Sequence, residues 1–254
     1  MSGGRFADRR VLVTGGSRGI GRATALAFAR EGAAVAFNYA RAEDEAEAAE
    51  TLAALRACGG VAHGARVDVA DAAAVTAMFA ELKTVLGGAP DVLVNNAAVS
   101  LDGLVMMLSE ASWDRVVDVN LKGAFLCCKA ALRGMIARRG GRIVNVVSPA
   151  AFFGKEGAAS YAAAKGGLVA LTKSLAREVA RYGITVNAVS PGYVDTQLIA
   201  ELPAETRSAL TAEIPLGRFG APDDVAAAIA YLASPAAAYV TGTTLHVDGG
   251  LTML

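Results

Sequence analysis

Tyr161 and Lys165 lie four residues apart in the Ala-rich stretch Ser160-Tyr161-Ala162-Ala163-Ala164-Lys165. In a helix that spacing puts both side chains on one face, within reach of each other. A phenol with an ordinary pKa of about 10 is a poor proton donor or acceptor near neutrality. A neighbouring ammonium would stabilise its anion and lower that pKa, so the pair reads as an acid–base unit. Ser148 follows a β-branched run at 142–147. At the C-terminal end of a strand its hydroxyl could hydrogen-bond an oxygen on which negative charge develops. Taken singly, each residue also has an ordinary reading, as a surface pair or a turn serine.

A second constellation opens the chain. Val11-Leu12-Val13 runs into Thr14-Gly15-Gly16-Ser17-Arg18-Gly19-Ile20-Gly21 and then an Ala-rich helical stretch. Missing β-carbons let a chain turn sharply and approach a pyrophosphate, and the free N–H groups of the helix start then face its charge. Gly15, Ser17, Arg18, Gly19, Ile20 and Gly21 are therefore candidate cofactor contacts. The next strand ends in Asn38-Tyr39-Ala40-Arg41, with no acid before Glu43. NAD-binding sheets usually place a carboxylate there for the ribose hydroxyls. Arg18 and Arg41 would instead attract a 2′-phosphate through charge-assisted hydrogen bonds. The expected cofactor is NADPH/NADP, with Asn38, Tyr39 and Arg41 at its adenosine end.

The elements that must hold these groups alternate. Strands are expected at 10–14, 34–39, 61–67, 92–95, 142–147, 185–190 and 244–247. Helices are expected at 21–31, 43–57, 73–86, 111–138, 161–182 and 223–233. Strand then helix, repeated, with several continuously apolar strands, argues for an α/β fold: a parallel sheet covered by helices on both faces. Its 254 residues, 54% of them apolar, fit a single domain spanning 1–254. Twenty-four basic against 24 acidic residues leave no electrostatic footprint for nucleic acid or an anionic membrane. Residues 225–247 carry no charge, but Ser234-Pro235 and Thr241-Gly242-Thr243-Thr244 make them a helix, a loop and a buried strand rather than a span. No apolar run precedes the first strand, so no signal peptide is expected. Cys58, Cys127 and Cys128 show neither disulfide nor metal spacing, which points to packing roles in a reducing, cytoplasmic setting.

The pattern Thr-Gly-x-x-x-Gly-x-Gly resembles that of the short-chain dehydrogenase/reductase family, and the resemblance runs to the C-terminus. Asn95-Asn96-Ala97-Ala98 is similar to that family's Asn-Asn-Ala-Gly segment, with Ala98 in place of the usual Gly. Asn120, Ser148, Tyr161 and Lys165 fall where the family has its catalytic tetrad. Pro191-Gly192, Val194 and Asp195-Thr196 resemble its nicotinamide-side loop, and Asp68-Val69 the pair that holds the adenine. The resemblance implies a Rossmann-like, doubly wound sheet. It further implies hydride transfer to a carbonyl, Tyr161 supplying the proton, Lys165 also holding the nicotinamide ribose and Asn120 ordering a water. Asn96, Ala97, Pro191, Gly192, Val194 and Thr196 join the implied cofactor contacts.

The β-ketoacyl-acyl-carrier-protein reductase branch is the most similar. Asp102-Gly103-Leu104-Val105-Met106-Met107, Ile214-Pro215-Leu216-Gly217-Arg218-Phe219-Gly220 and Asp248-Gly249-Gly250 resemble its loops. The expected substrate is a β-ketoacyl thioester on carrier protein or CoA, in fatty-acid or polyketide-type synthesis, with 195–216 as a lid. In that branch an acidic carrier docks on basic residues near the pocket. Arg139 occupies one such position, whereas Tyr182 replaces the other, beside Arg181. The resemblance also implies a homotetramer. Alcohols, sugars or other carbonyl compounds remain alternatives on this scaffold, as does a silent cofactor-binding subunit.

Overall fold

The computed structural model describes residues 4–197 and 203–253. Seven strands form one parallel sheet: β1 (Arg10–Thr14), β2 (Ala34–Tyr39), β3 (Ala62–Arg66), β4 (Val92–Asn95), β5 (Gly141–Val146), β6 (Ile184–Pro191) and β7 (Thr244–Val247). Their order is β3-β2-β1-β4-β5-β6-β7, every pair parallel. The order reverses between β1 and β4, so the C-terminal ends of those strands open a crevice, the usual ligand position in such sheets.

The helices are α1 (Gly19–Arg30), α2 (Glu45–Ala57), α3 (Ala72–Val85), α4 (Glu110–Val117), α5 (Gly123–Ala137), α6 (Ala150–Phe153), α7 (Ala159–Val179), α8 (Ala204–Glu213) and α9 (Pro222–Ala233). Side chains alternate across each strand and sort the core into two layers. Val11 and Val13 face Phe28 of α1, Leu55 of α2 and Ile229 of α9. Leu12, Leu93 and Ile143 face Met78 of α3, Cys127 of α5 and Leu175 of α7. Each fully buried Leu, Ile or Phe contributes about 1.5–3 kcal/mol, so both faces of the sheet are driven closed. One chain of buried polar groups runs through this core. Asn95 Nδ2 donates to Asn145 Oδ1 (2.8 Å), Asn145 Nδ2 to Thr172 Oγ1 (2.8 Å) and Thr172 Oγ1 to Leu168 O (2.8 Å). That chain fastens α7 to β4 and β5, and with it the helix that carries Tyr161 and Lys165.

The expected helix at 111–138 is instead interrupted: a π turn at Asp118–Lys122 separates α4 from α5. Asn120 Nδ2 takes the Val116 carbonyl (2.9 Å) and the Val99 carbonyl (2.7 Å), which pins the wider turn. The expected helix at 161–182 begins earlier, at Ala159, and tightens to a 3₁₀ turn at Ala180–Tyr182. Gly183, left-handed at φ 70°, stops it. The stretch at 225–247 divides into α9, a 3₁₀ turn at Pro235–Ala237 and β7, as expected. No helix among the described residues is long and apolar enough to cross a membrane.

Candidate active site

The glycine-rich turn leaves β1 and enters α1 with Gly15 at φ 65° and Gly19 at φ 54°, conformations that a side chain would strain. A β-carbon on Gly21 would stand 2.1 Å from the Gly15 carbonyl oxygen. The turn is braced from below. Asn96 Nδ2 donates to the carbonyls of Thr14 and Gly15 (3.0 Å each), and Thr14 Oγ1 accepts from the amides of Asn96 and Ala97 (3.0 Å each). Asn38 is buried, its Nδ2 on Val67 O (2.7 Å), its Oδ1 on the Gly15 amide (3.3 Å) and its carbonyl on the Gly16 amide (3.0 Å). The structure thus spends the side chains of Asn38 and Asn96, both expected at the cofactor, on shaping the turn. Arg18 sits at the α1 N-cap and makes no capping bond, so among the described residues the first amides of a twelve-residue helix have no side-chain partner. An uncapped helix start under a β-carbon-free turn fits a pyrophosphate.

Arg18 and Arg41 converge, and on a residue the sequence reading passed over. Arg41 binds Asp44 through Nε (3.0 Å) and Nη2 (2.7 Å), while Arg18 Nη1 lies 3.6 Å from Asp44 and 3.4 Å from Glu47. Asp44 is buried, and the Arg41 guanidinium holds its carboxyl below the usual carboxylate range. Arg41 Nη1 also lies 3.3 Å from Glu43, so three carboxylates surround the two guanidiniums, which stay half exposed and side by side over Asp44. The i, i+3 spacing of Arg41 and Asp44 was the available signal. Tyr39 lies at the end of β2, beside Phe37. Asp68 spends one oxygen on the Ala70 amide and the other on Arg115 (2.6 Å). Val69 is buried against Gly123.

A cleft of about 280 Å³ opens at the C-terminal edge of the sheet, lined among others by Ile20, Ser148, Tyr161, Lys165, Gly192 and Thr196. Tyr161 and Lys165 share a face of α7, with Lys165 Nζ 5.6 Å from the Tyr161 ring centre. Lys165 is buried and donates to Val146 O at 2.7 Å. Burial pushes its ammonium down to about 7. The Tyr161 phenol is raised rather than lowered, contrary to the effect expected of the ammonium. Burial is the largest cause, the Ser148 hydrogen bond opposes it, and the Asp102 charge adds to it. Ser148 Oγ accepts from the Ala150 amide (3.3 Å) at the start of α6, which leaves its proton free to donate. Asn120 is buried next to this cleft's supporting helix, its Oδ1 without a hydrogen-bond partner among the described residues.

Pro191 closes β6, and the Gly192 amide donates to Val247 O (3.0 Å). A β-carbon on Gly192 would come within 2.7 Å of Asp248 Cα, so the Asp248-Gly249-Gly250 segment supports the loop from behind. Val194 bridges to Gly220, and Thr196 Cγ2 lies 3.5 Å from the position of a β-carbon on Gly19. The loop after β6 therefore reaches over the glycine turn. Of the expected lid, Leu198, Ile199 and Leu202 lie outside the described residues. The Leu104-Val105-Met106-Met107 stretch is exposed, Met106 to 86%, and the Gly103 amide ties it to Gly157 O (2.7 Å), just before α7.

Arg139 is not near this cleft within one chain. It follows α5 and precedes β5, which places it at the N-terminal edge of the sheet. Its Nη2 donates there to Arg181 O (3.0 Å). The cause is topological: α5 runs back along the sheet, so its C-terminus ends opposite the strand termini that build the cleft.

Among the described residues no cluster of metal-ligating side chains occurs. The sequence profile of the enoyl-(acyl carrier protein) reductase family matches residues 15–252. The 3-oxoacyl-[acyl-carrier-protein] reductase FabG of Staphylococcus aureus (strain N315) is 45% identical over 245 residues, 96% of this chain and 98% of the relative. The 3-oxoacyl-[acyl-carrier-protein] reductase of Synechocystis is 45% identical over 245 residues, covering 95% and 96%. A solved structure from Sinorhizobium meliloti 1021, described as a short-chain alcohol dehydrogenase, superposes with a TM-score of 0.90 at 39% identity, covering 97% of each chain. With its turn, its tyrosine–lysine helix face and these relatives, the chain belongs to the short-chain dehydrogenase/reductase family of oxidoreductases.

Proposed function

We propose that the chain reduces the 3-keto group of an acyl thioester with NADPH, the acyl group being carried by an acyl carrier protein or by CoA. The observation that carries the reading is the meeting of Ser148, Tyr161, Lys165 and the Thr196 loop around one cleft beside the glycine turn. The shared name of the relatives supports the thioester. A nicotinamide dinucleotide, when bound at the glycine turn, would supply the hydride. Ser148, its lone pair engaged by the Ala150 amide, donates its proton toward the substrate oxygen and steers the carbonyl to Tyr161. Tyr161, kept protonated by burial, delivers its phenolic proton to that oxygen as charge develops. Lys165, held on Val146 O, occupies the floor between Tyr161 and the ribose position, and Asn120 holds the π turn behind it. Arg18 and Arg41, aligned by Asp44, recognise the 2′-phosphate. The segment 195–216 covers the acyl group, and the free, unpaired cysteines fit a cytoplasmic enzyme.

Side-by-side kinetics test both halves. NADPH should give the higher kcat/KM with an acetoacetyl thioester, and Arg41→Asp should move the preference toward NADH. The same acyl group on carrier protein, on CoA and on a minimal thioester distinguishes the carriers. Equal rates on all three would remove the carrier protein from the reading, and no turnover on any ketone with cofactor still bound would leave a silent subunit.

A further inference from the structure

A second cavity, about 360 Å³, lies at the opposite, N-terminal edge of the sheet. Its wall carries five arginines, Arg5, Arg9, Arg138, Arg139 and Arg142, against one carboxylate, Asp91. That carboxylate is already shared: Arg10 grips it through Nε (2.8 Å) and Nη2 (3.0 Å), and Arg138 Nε stands 3.1 Å away. Arg5 is spent on Glu31 (2.7 Å). Arg9, Arg139 and Arg142 have no carboxylate partner among the described residues. Arg142 gives Nη1 to Gly141 O (3.0 Å) and Gly183 O (3.3 Å), while its buried Nε has no partner. Arg139 holds a left-handed backbone, φ 53°, where a glycine would be unstrained. Its neighbour Gly140 already supplies a flexible position one residue on.

Gathering like charges into a concave wall is unfavourable for folding. Burial and the nearby Arg9 both push the Arg142 guanidinium below its ordinary value, which expresses the same cost. The repulsion is relieved when a multiply charged anion enters, and guanidinium forks suit tetrahedral oxyanions. We propose that this cavity is a binding site for a phosphate-type polyanion, such as a pyrophosphate or phosphate-monoester group, separate from the cleft that holds Tyr161. The cavity lies at the edge of the sheet remote from the glycine turn.

Isothermal titration of inorganic pyrophosphate into the full chain at low ionic strength tests the site. Arg142→Gln and the solvent-facing Arg9→Gln should each weaken binding by about tenfold or more. Unchanged circular dichroism and thermal midpoints in Arg9→Gln keep the comparison valid even if Arg142→Gln folds poorly. Arg41→Ala, which alters only the other end of the sheet, should leave intact the part of the titration that the Arg9 and Arg142 variants weaken, any remaining heat belonging to pyrophosphate at the glycine turn. Added salt should weaken the binding. Absence of heat with the wild-type chain would overturn the site. So would loss of binding in Arg41→Ala with none in the Arg9 variant, because the anion would then sit at the glycine turn. An acidic carrier protein that binds in an Arg142-dependent way, without any pyrophosphate signal, would make this face a protein-docking surface and overturn the proposal as well.

Discussion

Lys165 brings an amine into a wholly buried position, and that has a measurable cost. Its folded pKa of about 7 lies below the 10.5 of an ordinary lysine. Between those values the unfolded chain binds a proton that the folded chain does not, so stability rises with pH through that window. The slope is about 1.4 kcal/mol per pH unit for one such group. Lys165→Met should therefore stabilise the ligand-free chain most at and below pH 7, the gain fading toward pH 10.5. Urea unfolding at a series of pH values checks this, and a gain independent of pH would refute it. The same variant should lose catalysis, as expected where function and stability oppose each other. Tyr161→Phe separates the roles further: kcat should fall on the order of 10²-fold or more, with cofactor titration nearly unchanged. Near-normal turnover would remove Tyr161 as proton donor. At this scale Tyr161, Lys165 and Ser148 were legible because residue type and spacing state their chemistry. Asp44 was missed, and the bracing roles of Asn38 and Asn96 were not foreseen, because a polar side chain beside a site can serve the ligand, the backbone or both. Only the coordinates show Asn96 on Gly15 O and Asp44 under two guanidiniums.

Elements were read closely wherever side-chain pattern decides them. Strands β1, β2, β4 and β7 begin and end where the apolar and β-branched runs do. The π turn at Asp118–Lys122 was invisible, since one asparagine reaching back to Val116 O leaves the apolar period of the helix unaltered. The short α6 was missed for a different reason: four residues after Ser148-Pro149 are too few to show a period. The end of α5 is an exception to ordinary capping. Arg139 takes the left-handed position that usually falls to glycine, and the Gly140 amide returns to Met135 O (3.1 Å). Arg139→Gly should thus stabilise the chain by roughly 1 kcal/mol, because the strain outweighs one exposed bond to Arg181 O. A shift of the urea midpoint upward with an unchanged slope is the expected result. A downward shift would mean that the arginine's contacts, rather than its backbone, dominate.

The two ends of the sheet divide the molecule. Ser148 and Tyr161 stand at the C-terminal edge and Arg139 and Arg181 at the N-terminal edge, so one chain cannot bring a carrier held by those arginines to its own cleft. The separation follows from strand–helix alternation in a parallel sheet: Arg139 and Arg181 lie between a helix end and the next strand's start, whereas Ser148 follows a strand's end. A second copy packed antiparallel along α5 and α7 would remove the separation. Those helices expose apolar surface suited to such packing: Phe125, 45% exposed, and a groove where Leu132, Ile136 and Tyr182 stand beside the charged Arg177, Glu178 and Arg181. The chain should accordingly assemble at micromolar concentration, with at least a dimer in light scattering from this contact and a tetramer as the mass that the family resemblance implies. Phe125→Glu buries a charge in that contact and should lower the mass. If carrier recognition works across the contact, the dissociated variant should lose its advantage with carrier-bound substrate while keeping its rate on a minimal thioester. A dissociated chain that still prefers the carrier would show that docking occurs on the face of the cleft itself, and a wild-type chain that scatters as a stable monomer would remove the second copy from the argument.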